Sequence, residues 1–405
     1  MNMIFKDLKL ESMRSEYEAR WLATADEMRR RGIDSAVVWS RGAGTFERFQ
    51  DTYYLTNYYS CNSGCGEDWM QRGTRAAGYC AVILRAGREP ILIADDPTVD
   101  VSQIAAGRVV AETDVVAAVA RTMVEERLKG EVALVGSECI TAKHFRELQE
   151  LTPGVHWSGA DDLVLDVRVI KSPYELDLFR EGGKTVTNAM NAMFETVQNG
   201  GSEADGAGAA AREVYLRQGN INFCHLGHGK WTAERMTDQP MSGYSTRTPA
   251  KGDLLRGWVY GAMHKGYWLD PGRTTVVGLN PTPEQRFLVE SGAEYVEKLR
   301  ALIRPGQHVK AVAMEGRRLR NQFNGETATE GDWFEIFGHG NGLFWEPPVI
   351  DFKYDGKHSV FAPGMVATAE IFLELPGVGM AGFGQNFIVT AEGTELLTKT
   401  PLLWW

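Results

Sequence analysis

The sequence predicts an α+β protein of two domains, a smaller α/β unit over residues 1–168 and a larger mixed unit over 169–405. Three observations lead there. A chain of 405 residues with 43% hydrophobic content is too long for a single core and too apolar to stay disordered. Helical and strand patterns alternate through its first part, as in an α/β layer. Near residue 170 the pattern changes to a strong helix start, a long helix, a Gly-rich break and many short strands.

From Glu16 to Arg31 the residues are charged and helically spaced, and Gly32 closes that helix ahead of a buried strand over Ser35–Ser40. Tyr79–Leu84 and Pro90–Ala94 are two further apolar strands around the turn Arg85–Glu89. Val115–Leu128 follows as a helix and Glu131–Gly136 as a strand. At the boundary Ser172 caps, Pro173 takes the first helical position, where its missing N–H costs nothing, and Glu175 completes a capping box. Leu176, Phe179, Gly183, Val186, Met190 and Met193 give the new helix one buried face, and Asn199–Ser202 ends it. A second helix is expected over Glu203–Gln218. Beyond it, short strands alternate with one more helical stretch, Pro283–Ile303.

The formal charge of −10, with no run of five Lys or Arg, excludes nucleic acid and anionic membrane as partners and leaves a small-molecule substrate. Cys61, Cys65, Cys80, Cys139 and Cys224 are odd in number and unevenly spaced, which fits reduced thiols. The N-terminus has no apolar core of a signal peptide and no 18-residue apolar run occurs, so a soluble cytoplasmic protein is expected.

Several segments of the second half occur in an informative order. Val169–Glu175 opens the long helix, and Lys251–Thr274 carries Gly252-Asp253, Gly261-Ala262, Gly266-Tyr267 and then Asp270 followed by Arg273-Thr274. Ile303–Gly306, the Gly-His-Gly strand Phe337–Gly342, the Pro-Gly-Met-Val strand Pro363–Glu370 and the closing Asn386–Gly393 follow. Together they resemble the pita-bread superfamily of creatinase, aminopeptidase P and prolidase. The resemblance implies a C-terminal pita-bread domain, and the α/β order and Tyr54–Asn57 of the first part resemble a creatinase-like N-terminal domain.

In that superfamily the metallopeptidases hold two divalent ions with two Asp, one His and two Glu, places the resemblance carries to Val259, Asp270, His339, Glu370 and Gly384. Valine and glycine offer no ligand atom, so a divergent member without the full dinuclear site and without a cofactor is expected. If a single ion binds, Asp270, His339 and Glu370 would hold it with one position open. Two histidines that contact the peptide in the peptidases fall on Met241 and Trp345, which removes acid–base help at a peptide bond. Creatinase, which cleaves a C–N bond without metal, has counterparts of Glu370 and His339, but its principal His falls near Met241 and its strand Glu on Gly272.

The expected catalytic residues are therefore Glu370, His339 and Asp270, with His225 and His228 as replacement bases because imidazole titrates near neutral pH. Trp231, Trp258, Trp268, Trp333 and Trp345 fall on or beside segments that line the superfamily's cleft, and aromatic faces above two carboxylates favour a cationic or aromatic molecule. Trp345, Trp268, Trp231 and Tyr267 are the expected substrate contacts. Arg75 joins them from a second subunit, since the resemblance implies a homodimer. The expected function is a metal-independent, creatinase-like hydrolase of a C–N or related bond in a small non-peptide molecule. A lyase on the same scaffold, a single-ion peptidase and an inactive binding module are the alternatives.

Overall fold

The first helix covers the charged, helically spaced run Glu16–Arg31 and begins ahead of it. In the computed structural model, which describes residues 10–42, 49–60, 78–233, 239, 241–324 and 335–405, the first helix α1 spans Leu10–Arg31. It leads into β1 (Ser35–Arg41), buried at every position but the last. The short helix α2 (Gln50–Thr56) ends on Asn57 at φ 61°, a left-handed cap that Asn tolerates. Then come β2 (Tyr79–Arg85), β3 (Ile91–Ala94), β4 (Arg108–Ala111), α3 (Val115–Glu125), β5 (Gly130–Val135), α4 (Ala142–Leu151), β6 (Val155–Gly159) and α5 (Leu163–Arg168). The strands form one mixed sheet in the order β4-β3-β2-β1-β5-β6. Val37, Ile83, Ile93, Val132 and Leu134 of the sheet pack with Val115, Val119 and Met123 of α3 to make the core of this unit, Met1–Arg168. Cys61, Cys65 and Arg75 lie outside the described residues.

The second unit, Val169–Trp405, opens on α6 (Pro173–Gln198), where Ser172 and Glu175 form the capping box. Next come α7 (Glu203–Tyr215), β7 (Asn220–His228), β8 (Leu254–His264), β9 (Tyr267–Leu269), β10 (Gly272–Val276), α8 (Pro283–Leu302), α9 (Val309–Asn324), β11 (Gly338–Asn341), β12 (Trp345–Val349), β13 (Val366–Leu375), β14 (Gly379–Val389) and β15 (Thr394–Leu396). The sequence reading had no place for α9. Its Gly316 resembles a helix breaker, yet a side chain there would meet the Phe337 ring at 2.5 Å, so glycine serves close packing instead.

The strands make an antiparallel sheet in the order β12-β11-β13-β14-β10-β8-β7, with β15 on β14 and β9 on β8. Side chains alternate between its faces. Ala367, Ala369, Ile371 and Leu373 of β13 and Ala381, Phe383, Phe387 and Val389 of β14 join Leu288, Val289, Val296 and Leu299 of α8 in the core. The intervening residues Thr368, Glu370 and Phe372, with Gly382, Gly384 and Asn386, therefore point to the other face. The cross-strand register extends that face through Gly272 of β10, Trp258 of β8 and His225 of β7.

Candidate active site

His339 reaches this face because β11 is squeezed between two neighbours. A Cβ on Gly338, at φ 131°, would lie 1.9 Å from the Thr368 carbonyl oxygen, and one on Gly340 would lie 2.3 Å from that of Pro347. Only glycine on both sides lets the strands close on the histidine. Glu370 stands on β13, directly opposite Gly384. Asp270 sits between β9 and β10 and is fully buried.

Asp270 is the hub. Its Oδ1 accepts hydrogen bonds from Thr368 Oγ1 at 2.7 Å, Asn386 Nδ2 at 2.9 Å and Asn341 Nδ2 at 3.2 Å. Its Oδ2 accepts from Trp345 Nε1 at 3.0 Å and from Trp268 Nε1 at 3.4 Å. Burial works to raise this carboxyl, but the charge of His339 and the donors around it outweigh burial and hold it well below the usual carboxylate range. His339 responds in the opposite sense: burial lowers it, and the Asp270 and Glu370 carboxylates raise it above its ordinary value. Burial pushes Glu370 up to about 7, with the charge of Asp270 adding to it and that of His339 opposing it.

Ligand atoms of Asp270, His339 and Glu370 all lie within 4.8 Å of one another. The ring of His339 is held by contact of Nδ1 with the Gly340 carbonyl oxygen at 3.0 Å, and a proton on Nδ1 leaves the Nε2 lone pair free. Nε2 is 3.1 Å from Asp270 Oδ2, an ion pair while the ring carries its second proton, and has no other partner among the described residues. Loss of the Nε2 proton on metal binding would turn the pair into two acceptors facing one position, as two ligands of one cation do. The residues present therefore fit one ion.

Among the described residues the cluster consists of these three donors. Val259 and Gly384 have no ligand atoms, and the indole of Trp258 lies on a bed of glycines. A Cβ on Gly272 would be 2.1 Å from this ring, one on Gly382 2.6 Å and one on Gly384 3.2 Å. Trp258 Nε1 donates to the Asp270 carbonyl oxygen at 2.9 Å, and the ring stacks on Phe372 with centroids 5.0 Å apart.

Of the residues expected from sequence, Asp270, His339, Glu370, Trp345 and Trp268 come together here. Trp345 is 51% exposed and stacks on His339 at 4.4 Å, so it forms an outer wall. The others go elsewhere. His228 Nδ1 contacts Glu203 Oε1 at 2.6 Å, and Glu203 Oε2 accepts from Ser245 N and Oγ, so this imidazole is locked into a structural cluster. Tyr267 donates to Glu175 Oε1 at 2.8 Å and anchors α6. Trp231 lies beneath Lys230 and Arg247 as a cation–π platform. His225 is buried beside Trp258 with no hydrogen bond to the triad among the described residues, and burial together with Arg256 pushes it down to about 3, a poor general base. Arg75 and Trp333 lie outside the described residues. Sequence reasoning missed Thr368, Asn341 and Asn386, neutral residues whose only signal was their place inside the Gly-His-Gly, Pro-Gly-Met-Val and closing segments.

Residues 177–391 match the Metallopeptidase family M24, and residues 20–170 match the Creatinase/Prolidase N-terminal domain. The Xaa-Pro dipeptidase of Pyrococcus furiosus is 28% identical over 242 residues, 59% of this chain and 66% of that protein, so the chain spans just under two thirds of its length. The Probable dipeptidase PepE of Mycobacterium tuberculosis strain H37Rv is 28% identical over 280 residues, 67% of this chain and 69% of that one. Among solved structures, the Xaa-Pro dipeptidase from Bacillus anthracis superposes with TM-score 0.75 at 20% identity, covering 95% of this chain and 98% of that one. The prolidase from Pyrococcus horikoshii OT3 gives 0.74 at 19%, covering 95% and 99%. These structures establish the fold.

The comparisons overturn the expected metal-independent, creatinase-like hydrolase of a non-peptide molecule, because the relatives are named dipeptidases. The lyase and the inactive module fall with it. Loss of two ligand places does not remove the metal-binding potential, because the three remaining donors still converge.

Proposed function

Because the chain belongs to the metallopeptidase family M24, we propose that it is a dipeptidase that cleaves its substrate at the Asp270–His339–Glu370 centre with a single divalent ion held by those three side chains. The observation that carries this reading is the convergence of Asp270, His339 and Glu370, whose ligand atoms all lie within 4.8 Å of one another, with His339 Nε2 3.1 Å from Asp270 Oδ2. Three protein ligands with an open position make a recognised catalytic arrangement. When bound in such a site, a divalent ion supplies Lewis acidity toward the scissile carbonyl and acidifies a water.

The protein's own part is to fix the donors. Thr368, Asn341 and Asn386 hold Asp270 Oδ1 and keep its carboxylate plane from turning. Trp345 bonds Asp270 Oδ2 and covers the His339 ring, which fixes both side chains and shields one flank of the centre from water. Trp258, packed on Gly272, Gly382 and Gly384, fills the room a second ion and its carboxylate would need, which supports a count of one. A homodimer is part of the same proposal and is read by sedimentation.

The test is hydrolysis of a dipeptide panel, Xaa-Pro included, by chelator-treated protein with and without added Mn²⁺, Co²⁺ or Zn²⁺. Turnover of about 1 to 10³ per second, present only with an ion, is expected. Failure to cleave any dipeptide with any of the three ions would contradict the proposal.

A further inference from the structure

The face that carries the triad also carries a buried positive charge with no carboxylate partner among the described residues. Arg256 of β8 is 3% exposed. Its Nη1 donates to Met380 Sδ at 2.8 Å, a weak acceptor, and its Nε has no partner. Among the described residues no carboxylate forms an ion pair with it. Arg273, equally buried, shows how this fold treats a structural arginine. Its guanidinium donates to the carbonyl oxygens of Gly272, Gly384, Thr400 and Pro401 and to Gln385 Oε1. Burial lowers Arg256 to about 10, so it stays cationic at neutral pH, and an uncompensated buried charge is costly to keep for packing alone.

Register places its neighbours. Arg256 pairs with Thr274 and Gly227, one row along the same face from Trp258, Gly272 and His225. Tyr260 stands on that face two residues beyond Trp258. Neither the His225 ring nor the Tyr260 hydroxyl has a hydrogen-bond partner among the described residues, and both are electrostatically coupled to Arg256. Tyr260 is also within the influence of Glu370 and Asp270: burial raises its hydroxyl most, and those two carboxylates raise it further. Asp270 comes two residues before Gly272, hence at the level of Tyr260 and four residues from Arg256 along β8, a separation of about 13 Å between backbones. The face therefore has an acidic, ion-binding end and a cationic end, with the Trp258 ring between them.

We propose that Arg256, with His225 one row away on β7, forms a subsite for a carboxylate group of the substrate. The guanidinium fork accepts a carboxylate through paired N–H donors, and the neutral imidazole of His225 adds one donor. A carboxylate arriving there would satisfy the free Nε and neutralise the buried charge, so the binding free energy is concentrated on one group of the ligand. The proposal rests on the dipeptidase reading. It selects, among dipeptides, those whose carboxylate reaches Arg256, either an acidic N-terminal side chain or the C-terminal carboxylate.

Calorimetric titration of chelator-treated protein with Glu-Pro, Gln-Pro and Glu-Pro amide tests it without turnover. The wild type is expected to bind Glu-Pro about 10- to 100-fold more tightly than one of the neutral analogues. Weak Gln-Pro points to the side chain as the source, and weak amide points to the C-terminus. Arg256→Met should erase the difference while keeping or raising the melting temperature. Arg256→Lys, which keeps charge and size, should lose several-fold in affinity. Equal or undetectable binding of the three ligands by the wild type overturns the subsite. So does undiminished discrimination in either variant, or a fall in melting temperature of Arg256→Met with discrimination intact, which would make Arg256 a support for Met380 only. Binding needs neither ion nor cleavage, so carboxylate discrimination without dipeptide hydrolysis would sink the dipeptidase reading and spare the subsite. Hydrolysis without discrimination would do the reverse.

Discussion

Two buried histidine–carboxylate pairs sit in the same domain and behave differently. His228 and Glu203 are joined at 2.6 Å, and the remaining Glu203 oxygen is taken by Ser245 N at 2.7 Å and Oγ at 2.6 Å. Every strong acceptor there is spent on the protein itself. His339 and Asp270 stand at 3.1 Å, and a third group, Glu370, is in reach with no side-chain partner among the described residues. The same residue types thus make a closed pair in one place and a three-donor cluster in the other. Donors surround the carboxylate in both, Ser245 at Glu203 and Thr368, Asn341, Asn386, Trp345 and Trp268 at Asp270, so the difference lies in the third group: Glu370 adds a second carboxylate beside one imidazole.

The contrast is sharpest when each pair is broken. Glu370→Gln and His339→Asn keep shape and remove a ligand. Each is expected to cut dipeptide turnover by about 10²-fold or more with little change in melting temperature. Glu203→Gln should do the opposite, lowering stability by about 3 kcal/mol in a denaturant titration while turnover per folded molecule is kept. Equal loss of activity in both sets would erase the distinction.

Acid unfolding probes the closed pair further. Burial works to raise the Glu203 carboxyl, but the hydrogen bonds from His228 and Ser245 outweigh it and hold it below its ordinary value. A carboxyl depressed in the folded state gives stability that is fully present above its unfolded value, about 4.3, and is lost as pH falls through the folded one. The wild type should therefore lose stability more steeply than Glu203→Gln below about pH 5. Parallel curves would remove Glu203 from the account.

A smaller effect is expected at the outer wall. Trp345→Phe keeps the ring over His339 and deletes the N–H to Asp270 Oδ2, and about a tenfold loss of turnover is expected, on the scale of one charged hydrogen bond. Trp231→Ala, away from the triad, should leave turnover unchanged.

What could be read from the sequence follows the reach of the signals. The capping box at Ser172 and Glu175 is local chemistry, so α6 begins where the letters place it. The ordered Gly-His-Gly and Pro-Gly-Met-Val segments delivered His339 and Glu370, because glycines that admit a crowded strand leave a visible trace. Contacts across 71 to 116 positions, such as Asn341 and Asn386 on Asp270, leave none, since neutral amides occur in any loop. The titration range of imidazole says nothing of a partner, and the carboxylate that holds His228 lies 25 positions earlier on α7.

The most direct test of a one-ion centre is a count of ions by native mass spectrometry after saturation with Mn²⁺ and dialysis. One ion per chain in the wild type, lost in both His339→Asn and Glu370→Gln, is the predicted result. Two ions per chain, none, or one that survives both substitutions would contradict it.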